Sequence, residues 1–342
     1  MWRSPRRFLK KTFGAWVPRL GRPGKTGRSR FLVGKFKDPS TSILRPLGTA
    51  GELAYRLYLP TGSSRRDSMP LVVMLHGCKQ DSLSFAEGTR MNVHAEQYRC
   101  AVLYPEQSQR SNPLRCWNWF ESTSLAGQGE AALIAHLIDR VTQRRPIDPR
   151  RVYVVGLSAG GAMACLLAVR YSRLFAACAI HSGVMYAAAS SAAQAIALMR
   201  DGPSPSSIER ARKLVSGASE FAATVPTLVI HGDRDMTVDP ANADQIIAQL
   251  KARVEEIADP SAGPLLTGNE RRIESGGHTY RQQDSTRPGE LVLRKIVVEG
   301  LGHAWSGGDM NYEFNDSNGP DASRLILDFV MAYRRIRMGT RL

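Results

Sequence analysis

The chain has 342 residues, 43% of them hydrophobic, with 30 Gly and 19 Pro, a composition that excludes fibrous and disordered classes and suits one large core with many short loops. Its net charge of +15 would point to nucleic acid or an acidic surface if it were spread over the whole chain. Residues 1–37 hold twelve Lys or Arg and no acid, so the remainder is nearly balanced and shows no polyanion-binding character.

Residues 1–37 are therefore expected to form a basic tail, disordered on its own, ahead of a single α/β domain over 38–342. The apolar stretch from Phe13 to Val17 is too short for a secretory leader, and no run of about 20 apolar residues could span a bilayer. A cytoplasmic location is the expectation. Phe8, Leu9, Phe13, Trp16 and Val17 lie at helical spacings, which suits a tail that settles on an anionic membrane or granule surface.

Beyond the tail, short aliphatic segments alternate with segments of helical spacing, the mark of a mostly parallel sheet with helices on both faces. In chain order the sequence predicts strands at 52–59 and 71–75, a helix at 85–98, a strand at 101–104, a helix at 129–144 and a strand at 152–155. A helix at 160–171 and strands at 176–180 and 227–230 follow, then a helix at 241–252, a strand at 292–298 and a helix at 322–335. Two stretches break this rhythm. Residues 185–223 are rich in Ala and Ser, residues 258–287 are polar, and both are expected to form a cap or rim over a site. Cys78, Cys100, Cys116, Cys165 and Cys178 show no CxxC spacing, so buried thiols are expected and neither a metal nor a cofactor is implied.

The strongest local signal is Gly156-Leu157-Ser158-Ala159-Gly160, between a predicted strand and a predicted helix. This is the context of a nucleophile elbow, where only small residues fit two positions before and after the serine. A neutral hydroxyl needs a base, and the base needs a carboxylate. The strand at 227–230 runs into His231-Gly232-Asp233-Arg234-Asp235, and the strand at 292–298 into Gly302-His303-Ala304-Trp305, in the chain order serine, acid, histidine expected of this fold. Asp233, Asp235 and Asp239 all remain open as the acid, although Asp239 before Pro240 also reads as a helix cap. His303 is the expected base, ahead of His278 in the polar stretch and His181 on the wrong strand for that chain order. The backbone N–H groups of Ala159 and of Cys78, in the loop His76-Gly77-Cys78-Lys79-Gln80, are the expected oxyanion donors.

Together with Cys116-Trp117-Asn118-Trp119-Phe120 and His303-Ala304-Trp305-Ser306-Gly307-Gly308, these motifs resemble the polyhydroxybutyrate depolymerase family of esterases, relatives of feruloyl and acetylxylan esterases. The resemblance covers roughly residues 53–330. It implies an α/β-hydrolase fold, Asp235 as the acid, and hydrolysis of poly- or oligo(3-hydroxybutyrate) or similar short acyl esters. Acyl or feruloyl esters on polysaccharide form a second reading, and a basic-tail binding protein for granule, membrane or nucleic acid forms a third. The family's secreted members carry a signal peptide and often a polymer-binding domain, and neither is recognised here. Trp117 and Trp119, on one side of an extended segment, and Trp305, two residues after the base, are expected to wall the cleft.

Overall fold

A computed structural model describes residues 29–38, 51–64, 68–216, 225–257, 263–275 and 277–335. Strands β1 (Arg30–Lys37), β2 (Glu52–Leu59) and β3 (Met69–Leu75) are followed by helices α1 (Ser82–Gly88) and α2 (Met91–Tyr98) and by β4 (Ala101–Glu106). Then come α3 (Ser122–Leu125), α4 (Gly129–Arg144), β5 (Ile147–Leu157), α5 (Ala159–Arg170) and β6 (Ala177–His181). Helices α6 (Ala192–Asp201) and α7 (Pro205–Ser216) lead to β7 (Thr227–Gly232) and α8 (Ala241–Glu256). The chain continues through β8 (Leu266–Thr267), β9 (Arg271–Ser275), β10 (His278–Arg287), β11 (Glu290–Val298), β12 (Trp305–Ser306), β13 (Asn315–Asp316) and α9 (Ala322–Val330).

One sheet takes the order β1-β2-β4-β3-β5-β6-β7-β11-β10-β8, with β9 also paired to β10. Pairing is parallel from β4 through β3, β5, β6 and β7 to β11. Every residue of β3, β6 and β7 is buried, as continuous apolar runs must be when helices cover both faces. Helix α4 lays Ala131, Ile134, Leu137, Ile138 and Val141 on one face together with α5 and α8, while α1, α2 and α9 cover the other face with Phe85, Met91 and Ile326. Each of the seven predicted strands and five predicted helices finds an observed element, but the strand expected from 176 begins at Ala177, the helix expected to reach 171 ends at Arg170, the helix expected to reach 335 ends at Val330, and one helix is divided. The helix expected at 85–98 is two helices, because Thr89 Oγ1 donates back to the Phe85 carbonyl and Arg90 turns left-handed at φ 54°.

Two expectations are corrected. The domain does not begin at residue 38: β1 pairs with β2 through eight residues, from Arg30 opposite Leu59 to Lys37 opposite Glu52. Phe36 is buried against α4's face of the sheet, and the lysines that read as tail, Lys35 and Lys37, both meet Glu52. The expected disordered tail is otherwise at 1–28, outside the described residues. A chain starting at Ser29 keeps the whole of β1 and serves as the reference. One starting at Asp38 should lose ~3 kcal/mol or more, the cost typical of deleting a buried aromatic, and expose the edge of β2. Urea melts of the two truncations measure this, and equal midpoints would contradict the placement of β1.

The polar stretch at 258–287 is not a rim either. Its described part widens the sheet as β8, β9 and β10, with Tyr280, Gln282 and Ser285 turned inward. Arg294 of β11 forks onto Asp284 of β10 at 2.7 and 2.8 Å. Cross-strand ion pairs of this kind let a strand form without an apolar face. The described part of 185–223 holds the helices α6 and α7 after an irregular stretch at 185–191.

Candidate active site

Between β5 and α5 the chain turns on Ser158, whose φ of 58° and ψ of −122° no side-chain-bearing residue adopts without strain. The neighbouring glycines show what permits this. A Cβ on Gly156 would lie 2.1 Å from the Gly160 carbonyl oxygen, and one on Gly160 would lie 2.1 Å from the Leu75 oxygen. Ser158 N–H donates to His181 O at 2.9 Å, fixing the elbow to β6. The hydroxyl itself makes no hydrogen bond among the described residues.

Asp235 and His303 are brought together from the ends of β7 and β11. His303 Nδ1 lies 2.7 Å from Asp235 Oδ2, with the carboxylate fully buried. Asp235 Oδ1 accepts the N–H groups of Thr237 and Val238 at 2.9 and 2.8 Å, and His231 Nε2 lies 3.4 Å from Oδ2. Burial alone would raise the Asp235 carboxyl, but the bonds from His231 and His303, the His303 charge and the Val238 N–H outweigh it and hold it well below the usual carboxylate range. The acceptor is thus ionised near neutrality, which keeps the Nδ1–H tautomer on His303 and leaves Nε2 free to take a proton.

The other acids and histidines have different partners. Asp233 Oδ1 accepts Gly300 N–H at 2.7 Å, tying the acid loop to the histidine loop. Asp239 accepts the Ala241 N–H at 2.8 Å in the turn that leads into α8. His278 faces Asp316 at 3.5 Å beside the outer strands. His181 is fully buried and stacked on Trp305, and burial, with the nearby His231 and His303, pushes its pKa down to about 3.

The loop after β3 lies against the elbow: a Cβ on Gly77 would meet Ser158 Cβ at 3.4 Å. Ala159 opens α5, so its N–H has no partner within the helix. Cys78 N–H likewise donates to no acceptor among the described residues. Two expectations give way here. Cys78 is not a thiol, because it forms a disulfide with Cys116 across 38 residues of sequence; Cys100, Cys165 and Cys178 are the expected buried thiols. The tryptophans do not wall a cleft. Trp117 and Trp305 are 0% exposed and Trp119 3%. Trp117 Nε1 donates to His76 O at 3.1 Å beneath the loop, and Trp305 Nε1 to Ser323 Oγ at 3.1 Å. An indole N–H finds its partner wherever it is buried, and here those partners lie inside the core.

The sequence reading missed His76, Gln107, Asn118, Glu130 and His231, all of which touch or support these loops. His231 adjoins the glycine of a motif already recognised and Asn118 stands inside another. Glu130 gave no signal, since an acid in a first helical turn is ordinary.

Taken together, the sheet order, the strained elbow and the strand-end acid and histidine define an α/β-hydrolase. The family model described as Esterase PHB depolymerase matches residues 53–273, and the chain belongs to that family. It is 34% identical over 255 residues to poly(3-hydroxyalkanoate) depolymerase C of Paucimonas lemoignei, covering 74% of this chain and 58% of that protein. It is 32% identical over 142 residues to feruloyl esterase B of Neurospora crassa, covering 41% of this chain and 48% of that protein. The chain thus spans about half the length of these relatives. Among solved structures, an acetyl xylan esterase from Aspergillus awamori shares the fold at a TM-score of 0.61 with 20% identity, covering 80% of this chain and 94% of that one.

Proposed function

We propose that this protein is a serine esterase acting on short-chain hydroxyacyl esters, with oligo- or poly(3-hydroxybutyrate) as the favoured class. Ser158 attacks the ester carbonyl, His303 takes its proton and returns it to the leaving alcohol, and Asp235 stabilises the imidazolium. The N–H groups of Cys78 and Ala159 receive the oxyanion, and water then hydrolyses the acyl-enzyme by the same route. The observation that carries this reading is the Asp235–His303 couple at 2.7 Å on the loops beside an elbow that admits only glycine two residues either side of Ser158. The open Ser158 hydroxyl fits a free enzyme, in which the serine–histidine bond often tightens only with substrate.

The 34% identity to a hydroxyalkanoate depolymerase supports the hydroxyacyl class over feruloyl or acetyl groups on polysaccharide. The Cys78–Cys116 disulfide favours an oxidising compartment over the cytoplasm. A substrate panel tests the assignment, comparing p-nitrophenyl esters of rising chain length, hydroxybutyrate oligomers, amorphous polymer and methyl ferulate. The expected order places hydroxybutyrate oligomers and the shortest acyl esters highest in kcat/KM. Turnover of methyl ferulate above all others would move the assignment to the second class.

A further inference from the structure

We infer that Glu130 is a positioning residue for the oxyanion site, holding the Gly77–Cys78 peptide in place through Gln107 and Asn118; this rests on the reading of Ser158 and Cys78 given above. Gly77 C=O and Cys78 N–H belong to one planar trans unit, so whatever fixes the carbonyl fixes the direction of the N–H. Gly77 O lies 2.8 Å from His76 Nδ1. On the far side of the same ring, the Gln107 backbone N–H points at His76 Nε2 at 3.0 Å. A backbone N–H can only donate, so Nε2 is bare and Nδ1 carries the proton that Gly77 O accepts. Burial lowers the pKa of His76 and keeps it in this neutral form.

The clamp is only as firm as Gln107, and Gln107 is held by Glu130. Its Nε2 donates to Glu130 Oε1 at 2.7 Å and to Cys116 O at 3.1 Å. Glu130 also accepts the backbone N–H of Asn118 on Oε2 and the Asn118 side-chain amide on Oε1, each at 2.8 Å. One carboxylate therefore gathers β4's end and the 116–118 segment. That segment carries Cys116, bonded to Cys78, and Trp117, whose indole N–H holds His76 O. Three donors and no Lys or Arg meet the carboxylate among the described residues. Burial raises its pKa, and the bonds from Asn118 and Gln107 oppose that rise. The neighbouring Glu121 adds to the rise, while a place in the first turn of α4 works against it, because the N-terminal end of a helix favours a negative charge. A carboxylate kept inward without a cation, and spent wholly on two loops that flank the oxyanion peptide, does more than cap a helix.

The test uses Glu130→Gln and, as the milder change, Gln107→Met, with Ser158→Ala as control, in the full chain. The readouts are kcat and KM on p-nitrophenyl butyrate, Ki for a trifluoromethyl ketone that forms a tetrahedral adduct, and melting temperature. Loss of one oxyanion donor costs ~10²–10³ in kcat, so a displaced donor should lower kcat by about tenfold to a hundredfold. KM should stay within about twofold and Ki should rise in step with the loss of kcat. Wild-type kcat in a folded Glu130→Gln or Gln107→Met overturns the inference, as does a loss that falls on KM with Ki unchanged. If Glu130→Gln does not fold, Gln107→Met decides alone by the same criteria. An active Ser158→Ala would instead bring down the serine esterase reading itself, so the two failures are distinct.

Discussion

Ser158→Ala is expected to lower kcat for ester hydrolysis by ~10⁴ or more, the scale on which loss of a triad nucleophile is felt, and to leave the melting temperature unchanged. The second half of that expectation follows from the geometry. The hydroxyl makes no hydrogen bond among the described residues, the backbone at φ 58° is held by Gly156, Gly160 and the 2.9 Å bond to His181 O, and alanine fits the same turn. Steady-state assays on the purified variant, freed of wild-type enzyme, measure it. Turnover within about tenfold of wild type would remove Ser158 from the mechanism.

The next largest effects separate two aspartates that lie two residues apart, Asp233 and Asp235. Asp235→Asn should cost ~10³–10⁴ in kcat, because an amide cannot stabilise imidazolium and tends to hold His303 in the wrong tautomer. His303→Ala should be impaired at least as much. Asp233→Asn keeps an acceptor oxygen for the Gly300 N–H, and its kcat should stay within about tenfold of wild type. The carboxyl of Asp235 lies well below its usual range, so it is ionised at any assay pH near neutrality and its own titration has no part in the contrast there. A dead Asp233→Asn beside an active Asp235→Asn would reverse the assignment.

The candidate catalytic residues were more legible in the sequence than the surroundings that hold them. Central strands announce themselves because burial on both faces demands continuous apolar runs, and the elbow announces itself because its glycines are sterically forced. Spacing alone left three acids open, and what distinguishes Asp235 is a contact across 68 residues, to His303. Strand β1 was hidden by its lysines, which charge counting assigns to a tail, although they answer Glu52 on the neighbouring strand. Strand β10 was hidden because its sequence, HTYRQQDSTR, has no apolar alternation and depends on partners such as Arg294. The disulfide and the Glu130 hub were hidden for the same reason. Cys78 and Cys116 stand 38 residues apart with no spacing motif to link them, and a carboxylate's partners cannot be read from its position in a helix. The tryptophans were misplaced because an aromatic near a motif looks alike whether it lines a cleft or supports the loop beneath one.

The central claim, that Ser158 is the nucleophile of a covalent esterase mechanism, is tested most directly by stoichiometric labelling. The full chain is treated with a fluorophosphonate, the intact mass is measured, and the modified peptide is mapped by tandem mass spectrometry. One adduct per chain is expected, on Ser158, absent from Ser158→Ala and lost when p-nitrophenyl butyrate competes. An adduct on a different residue, or none on a folded and active enzyme, would contradict it.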